Sequence, residues 1–145
     1  MNWQEVLESF KSRITDNSGL SLAAADIALP NSNFEAGARS RWLELSVSPN
    51  GYHDLTERLA MYPAQANLVV AVPAGTGGER LNETARRLMT LFSPKNPGKS
   101  GWNVNESVLV NIRKVEQMPP SLDGNVCRTN VRVTINVYEE INLEE

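Results

Sequence analysis

The chain has 145 residues, 41% of them hydrophobic and 21% charged, with a formal net charge of -3, one cysteine and one histidine. This length suits a single domain that buries about two thirds of its unfolded surface. With only Cys127 and His53, one chain cannot build a zinc site of four cysteines, of two cysteines with two histidines, or of three histidines, and it cannot form an internal disulfide.

The negative charge is concentrated at the C-terminus. Four of the 17 acidic residues lie there without an offsetting base: Glu139, Glu140, Glu144 and Glu145. The rest of the chain is nearly neutral and lacks the clustered basic face that is typical of nucleic-acid binding. We therefore predict one domain over residues 1–138 and an acidic tail over residues 139–145.

The sequence shows no membrane or export signal. Its longest apolar run, residues 68–72, is far shorter than the roughly 20 residues that a membrane-spanning helix needs. Glu5 lies where a signal peptide would carry a basic residue, and no apolar stretch follows it. We expect a protein that is made in the cytoplasm and stays there unless something carries it elsewhere.

The N-terminal segment predicts an amphipathic helix. Apolar residues recur there at spacings of three and four: Trp3, Val6, Leu7, Phe10 and Ile14. Asn2 with Glu5 resembles a capping box, and residues 16–19 predict the end of the helix. Residues 20–33 are rich in small residues and predict an irregular connection.

Residues 41–48 alternate as a half-buried strand does, with Leu43, Leu45 and Val47 on one face. The next segment, residues 52–66, leaves two alternatives open. Leu55, Leu59 and Tyr62 have the spacing of a short helix, whereas residues 59–62 also suit a strand that enters a hairpin with residues 68–72. We favour the strand.

The second half of the chain predicts another helix followed by more strands. The glycines from Gly75 to Gly78 open this helix, and its apolar stripe consists of Leu81, Ala85, Leu88, Met89 and Phe92. Residues 102–104 and 107–115 predict a strand pair or one bulged strand, residues 118–125 a long loop, and residues 131–138 the last strand. This order predicts an α+β fold, a mixed or mostly antiparallel sheet of about four to five strands with two helices packed on one face.

No catalytic or cofactor motif is complete. The glycine loop before the second helix superficially resembles a phosphate loop, but Gly78 is followed by Glu79 and Arg80 where such a loop needs lysine and a hydroxyl residue. A dinucleotide-binding fingerprint would need a third glycine at Arg80. We expect the glycines to provide a sharp turn, and we predict no cofactor.

The two residues most suited to acid, base or nucleophilic chemistry also lack partners. His53 follows a Pro-Asn-Gly turn with no serine, cysteine or second histidine in a recognisable motif, so an exposed loop histidine is the favoured interpretation. Cys127 has Arg128 beside it but no base. We predict no catalytic residues, no metal ligands and no enzyme activity.

The stretch from the second helix into the next strand is the most basic part of the chain. Its basic residues are Arg86, Arg87, Lys95, Lys99, Arg113 and Lys114. These side chains form either a solvated face or a docking surface for an acidic neighbour, such as the 139–145 tail of another copy. Complementary patches on one sequence are what a heterologous, ring-closing contact uses.

Several short segments, taken in order, resemble the phage tail terminator (tail completion) family of long-tailed bacteriophages. PNSNFE at residues 30–35, followed by WLELSV at 42–47, resembles the family's Asn-x-x-Phe-x-Pro segment and first strand. LVVAVPAGTG at 68–77 is similar to its strand that ends in a Pro-x-Gly-x-Gly turn before the second helix. The loop over 119–124 and the strand over 131–138 complete the order. The chain departs from the family at Ala36, where proline is frequent, and at Ala66 and Asn67, where the hairpin usually has glycine.

The resemblance implies a structural virion protein without catalytic activity. Such a protein assembles as a homohexameric ring on the end of the tail tube, stops the addition of tube subunits, and offers a surface to the head-tail connector or neck protein. Genome DNA passes through such a ring without specific contacts. The alternatives are another neck or head-completion protein, a small nucleotide-binding enzyme that uses the loop from Gly75 to Gly78, and a cytoplasmic adaptor domain.

The segments that we expect to contact the tube or other subunits are residues 52–62, the loop over 95–99 and the acidic tail. Backbone edges and hairpins suit this role because a neighbouring chain can extend a sheet. The predicted contact residues are Tyr52, Arg58, Tyr62, Arg86, Arg87, Lys95, Lys99, Glu139 and Glu140. For each of them the alternative is an ordinary solvent-exposed residue.

Overall fold

The computed structural model describes residues 1–30, 32–76, 78–96 and 100–141. Helix α1 (Trp3–Thr15) begins as predicted, because the Asn2 side-chain oxygen accepts the backbone N–H groups of Gln4 at 3.1 Å and Glu5 at 3.3 Å. Such a cap satisfies N–H groups that have no partner inside the helix. The predicted apolar stripe is buried at Val6, Leu7, Phe10 and Ile14.

The connection after α1 is partly ordered. It contains a 3-10 turn (Ala24–Asp26) and a two-residue strand, β1 (Ile27–Ala28). β1 lies parallel to β2 (Trp42–Pro49), with Ile27 opposite Leu43. The strand that was predicted over residues 41–48 is therefore present.

The ambiguous segment over residues 52–66 is extended, but the predicted hairpin with residues 68–72 is wrong. β4 (Leu59–Pro73) is one unbroken strand of 15 residues. The hairpin lies earlier, where β3 (His53–Thr56) turns through Glu57 and Arg58 into β4. No turn forms at Ala66 and Asn67, because β8 pairs with β4 along its whole length and keeps Ala66 and Leu68 in the core.

Helix α2 (Gly78–Leu91) follows β4. Its buried residues include Leu81, Ala85 and Leu88, as the stripe predicted, and Leu91. The second half of the chain then supplies a strand pair, β5 (Gly101–Asn105) with β6 (Val108–Gln117), rather than one bulged strand.

The last two strands form a hairpin. The predicted loop over residues 118–125 contains β7 (Ser121–Asp123), which turns at Gly124 with a positive φ of 60°. This strand gave no alternation in the sequence, because all three residues are exposed. β8 (Val126–Glu140) extends two residues beyond the predicted domain boundary, so Glu139 and Glu140 belong to a strand, and residues 142–145 of the tail lie outside the described residues.

Over the described residues the sheet has eight strands, more than predicted, in the order β1-β2-β4-β8-β6-β5, with β3 also beside β4 and β7 beside β8. All pairs are antiparallel except β1 with β2, so the fold is α+β with a mixed sheet that curls into a half-barrel. Because β8 follows the whole length of β4 on one side, β2 and β3 share the other side of β4.

The core lies between one sheet face and the two helices. Alternate residues of the two long strands are buried there: Ala64, Ala66, Leu68, Val70 and Val72 of β4, and Val131, Val133, Ile135 and Val137 of β8. Phe10 packs against Phe92 and Trp102, with ring centroids 5.3 and 4.9 Å away. Within the described ranges, neither α1 nor α2 is long and apolar enough to cross a membrane.

Candidate functional site

Several predicted contact residues meet at one end of the sheet. We call this region the hairpin end and define it as β3, the Glu57–Arg58 turn, the first residues of β4 and the last residues of β8. The pairing of Leu59 with Glu140 and of Met61 with Tyr138 brings the start of β4 beside the end of β8. The residues gathered here are Tyr52, Arg58, Tyr62, Glu139 and Glu140.

A line of aromatic rings connects the hairpin end to α1. The Trp3 ring meets the Tyr62 ring edge-on, with centroids 5.9 Å apart, and Tyr52 lies 5.1 Å beyond Tyr62. The Tyr62 hydroxyl donates a hydrogen bond of 3.2 Å to Glu139. The other carboxylate oxygen of Glu139 lies 3.7 Å from the ammonium group of Met1. These contacts hold the base of the hairpin against the body of the protein.

Carboxylates give the hairpin end a negative character. The Tyr52 hydroxyl donates a hydrogen bond to the Asp54 carboxylate, which raises the pKa of Tyr52 to about 12. Burial raises the pKa of Tyr62, and its hydrogen bond to Glu139 raises it further. The charges of Asp54 and Glu139 also raise the pKa of both tyrosines, and these two residues lie opposite Ala60 on the two sides of β4.

The same end exposes apolar surface. Tyr52 and Leu55 leave 49% and 48% of their surfaces exposed, and all four residues of β3 are exposed. Arg58 is also exposed, and its carbonyl accepts the backbone N–H of Ile141 at 2.8 Å. Large exposed apolar side chains beside an unpaired strand edge are typical of surfaces that meet another chain.

A groove lies on the sheet face that the helices leave open, next to the hairpin end. It has a volume of about 390 Å³, and Leu59, Leu109 and Tyr138 are among the side chains that line it, with Glu106 and Glu140. The sequence analysis did not identify this groove. Leu109 was the residue that could have revealed it. The buried residues of its strand are Val108, Val110 and Ile112, so Leu109 is an apolar residue on the outward face, where polar residues are usual.

The predicted basic contact residues lie elsewhere. Arg87 forms an ion pair of 3.2 Å with Glu83, one helical turn earlier in α2. Arg86 lines a groove with Asn17 at the C-terminal ends of the two helices, and Lys95 is exposed just after α2.

The remaining residues of the predicted basic stretch are Lys99, Arg113 and Lys114. Lys99 lies outside the described residues. Arg113 and Lys114 are exposed on β6, in the sheet rather than on α2. The basic stretch of the sequence is therefore divided between a helix and a sheet edge.

An ion pair on the outward sheet face was also not anticipated. The Arg128 guanidinium donates two hydrogen bonds to Glu44, at 2.8 and 3.1 Å, and this carboxylate raises the pKa of Arg128. The buried Trp42 donates its indole N–H to Glu44 at 3.4 Å. This group fastens β2 to β8 across β4, at the end of the sheet opposite the hairpin end.

The residues that the sequence analysis considered for catalysis or metal binding do not form a common site in the described part of the chain. Within the described residues, no group of three or more His, Cys, Asp or Glu side chains is arranged to hold a metal ion. His53 is exposed on β3, and Cys127 is half-buried on β8. Gly77 of the glycine loop lies outside the described residues, and the strand before this loop has antiparallel neighbours, unlike the parallel strands of a dinucleotide-binding fold.

Comparisons with known proteins show a shared fold and give no information about function. No protein-family model matches the sequence, and no curated protein matches it. Solved structures with similar folds do exist. One of them, whose name carries no functional description, aligns over 100% of this chain and 99% of its own chain, with a TM-score of 0.58 and 19% sequence identity. An α+β fold that spans the whole chain is therefore shared with a solved protein.

Proposed function

We propose that this protein is a structural virion protein that caps the end of a phage tail tube as a ring and stops tube polymerisation. The observation that carries the proposal is the convergence of Tyr52, Arg58, Tyr62, Glu139 and Glu140 at the exposed hairpin end. These residues come from two distant parts of the sequence, both of which we expected to contact the tube or other subunits. The positions of the two helices and of the strands over residues 42–47 and 131–138 support the proposal, whereas the hairpin expected at Ala66 and Asn67 is absent.

The physical task of such a protein is to match one end of a growing assembly. A tube that grows by stacking rings exposes the same interface after every addition, so the cap must bind that interface and present a different surface on its other side. The hairpin end has the features that such binding requires. It combines large exposed apolar side chains, Tyr52 and Leu55, with an acid-rimmed groove around Leu109.

The proposal includes the partners and the location. The partners are other copies of the chain in a homohexameric ring, the tail tube protein, and the head-tail connector or neck protein. The location is the head-proximal end of the tail, reached after synthesis in the host cytoplasm. Contact alone performs this function, so no cofactor, membrane or specific nucleic-acid sequence is involved, and genome DNA passes through the ring.

The alternative within the virion is another neck or head-completion protein. A nucleotide-binding enzyme is a weaker alternative. The antiparallel neighbours of β4 and the acidic Glu79 in the first turn of α2 both disfavour phosphate binding at the glycine loop.

Co-sedimentation distinguishes a tail terminator from a neck protein. The purified protein is mixed separately with tail tubes and with tailless heads, and each mixture is centrifuged. We expect the protein to sediment with tubes and not with heads. Leu55→Ser, at the hairpin end, should weaken the binding to tubes, whereas Leu122→Ser, on exposed β7 at the other end of the sheet, serves as the matched control. Binding to heads alone would favour the neck protein.

A further inference from the structure

β3 is an edge strand with one free side. It pairs with β4 and with no other described strand, and its residues are exposed along its length. The apolar side chains of Tyr52 and Leu55 stand exposed at this edge. Native proteins usually cover or charge such an edge, because its free N–H and C=O groups pair readily with another chain.

Among the described strands, none covers the opposite edge of the sheet over a similar length. β5 pairs with β6 only as far as Asn111, and the N–H of Ile112 bonds to the Ser100 carbonyl at 2.7 Å. Beyond that point the register shifts at Arg113, and residues 114–117 pair with β8 alone among the described strands. We call residues 113–117 the open half of β6. It is about as long as β3, which has four residues.

We propose that β3 of one copy pairs edge to edge with the open half of β6 in the next copy. The inference rests on the proposed function, because it assigns the contact by which copies of the chain close into a ring. The two sheets would then continue across the subunit boundary through backbone hydrogen bonds.

Charge complementarity favours this pairing. Asp54 and Glu57 lie on β3 and its turn with one base, Arg58, and Glu139 lies opposite Ala60 on the other side of β4 from Asp54, so this edge is net acidic. The open half of β6 carries two bases, Arg113 and Lys114, and one acid, Glu116, which lies 3.5 Å from Lys114, so this edge is net basic. Pairing β3 with a second β3, or β6 with a second β6, would place like charges together, which disfavours those contacts.

Geometry requires that the two edges belong to different copies. Within one chain, β4 and β8 lie between β3 and β6, and the free sides of the two edge strands face in opposite directions. The two segments also lie at different heights, because β3 is beside the start of β4 and the open half of β6 is beside residues 131–134 of β8. A contact between two different surfaces of one chain is heterologous. Repetition of such a contact generates a ring when the rotation closes.

Thiol cross-linking tests the pairing in the full chain. In a Cys127→Ser background, a Leu55→Cys chain is mixed with a Lys114→Cys chain and treated with a short bismaleimide. Both sites are exposed, and the background has no other thiol. We expect the mixed dimer to form about tenfold more than either self-pair, and about tenfold more than the dimer of Lys114→Cys with Leu122→Cys, the exposed control.

Charge reversal supplies the second measurement. Asp54→Lys should weaken self-association about tenfold in analytical ultracentrifugation, and addition of Lys114→Glu to the same chain should restore it. The pairing is overturned if the mixed cross-link does not exceed the control, or if the second reversal fails to restore association.

Co-sedimentation of the unmodified protein with tail tubes, compared with the cross-linking result, separates this inference from the proposed function. Tube binding without the mixed cross-link overturns the edge pairing and leaves the function in place. The mixed cross-link without tube binding supports the edge pairing and contradicts the function.

Discussion

The Tyr62 hydroxyl donates a hydrogen bond of 3.2 Å to Glu139, which joins two residues 77 positions apart in the sequence. This bond ties β4 to the end of β8 beneath the exposed hairpin. We predict that Tyr62→Phe lowers the free energy of unfolding by about 1 kcal/mol, because it leaves a half-buried carboxylate with one donor fewer. Urea denaturation measures the change.

Tyr138→Phe is the matched control for Tyr62→Phe. Tyr138 is half-buried on the same strand as Glu139, and its hydroxyl has no hydrogen-bond partner among the described residues. We expect a change within about 0.5 kcal/mol. Equal effects of the two substitutions would show that the bond to Glu139 contributes nothing measurable.

The raised pKa of Tyr52 depends mainly on Asp54. Ultraviolet absorbance of the phenolate should show a titration near pH 12 that is missing in Tyr52→Phe, and Asp54→Asn should move it toward the ordinary value of about 10. Glu57→Gln, which removes a neighbouring charge but no hydrogen bond to Tyr52, should leave most of the shift in place. An unchanged titration in Asp54→Asn would contradict this assignment.

The raised pKa of Tyr52 determines how the stability of the fold changes with pH. The folded chain holds the Tyr52 proton more tightly than the unfolded chain does, so the Asp54 contact stabilises the fold fully below about pH 10. That contribution is lost as the pH rises from about 10 to 12. The difference in stability between the unmodified protein and Asp54→Asn should therefore shrink across this range, as measured by urea denaturation at each pH.

The ion pair between Glu44 and Arg128 should make a measurable contribution to the free energy of unfolding. In a double-mutant cycle with Glu44→Gln and Arg128→Met, we predict a coupling energy of about 1 kcal/mol, because the contact has two hydrogen bonds and lies beside buried Trp42. Both side chains are about one third exposed, so solvent screening keeps the energy small.

The pair between Lys114 and Glu116 provides the reference cycle. Its atoms are 3.5 Å apart and its lysine is mostly exposed, so we expect a coupling energy below about 0.5 kcal/mol. If the two cycles gave the same coupling, the bidentate geometry at Arg128 would have no energetic consequence.

Substitution of a core apolar residue should lower the free energy of unfolding far more than substitution of a surface apolar residue. Phe10 is fully buried against Phe92 and Trp102, so Phe10→Ala should lower the free energy of unfolding by about 3–5 kcal/mol. Leu109→Ala, on the open sheet face, should cost less than about 1 kcal/mol in the isolated chain. Thermal denaturation followed by circular dichroism compares the two, and a large loss for Leu109→Ala would show that this residue serves the fold rather than a partner.

The sequence predicted the parts of the fold that depend on local pattern. The α1 stripe from Val6 to Ile14 and the alternation of Leu43 with Leu45 each identify one buried face. The continuity of β4 was missed, because Pro63 and several alanines obscure the alternation, whereas pairing with β8 over its full length determines it. Short strands such as β7 gave no signal because their residues are exposed.

The candidate site could be predicted only in pieces. Tyr62 and Glu139 were both expected to make contacts, but their proximity depends on the register of β4 against β8, which the local pattern of either strand does not fix. Arg86 and Arg113 were expected on a helix and on the following strand, and they lie there, but the sequence did not show how far apart the fold places these two elements. The exposed edges followed only from the strand order, because an edge is a property of the whole sheet.

Electron microscopy of growing tail tubes tests the central claim most directly. Tube subunits are polymerised in vitro, the protein is added, and fresh tube subunits follow. We predict a ring with an axial hole at one end of each tube and no further growth at that end. Tubes that continue to lengthen at both ends in the presence of excess protein, with no added density at either end, would contradict the account.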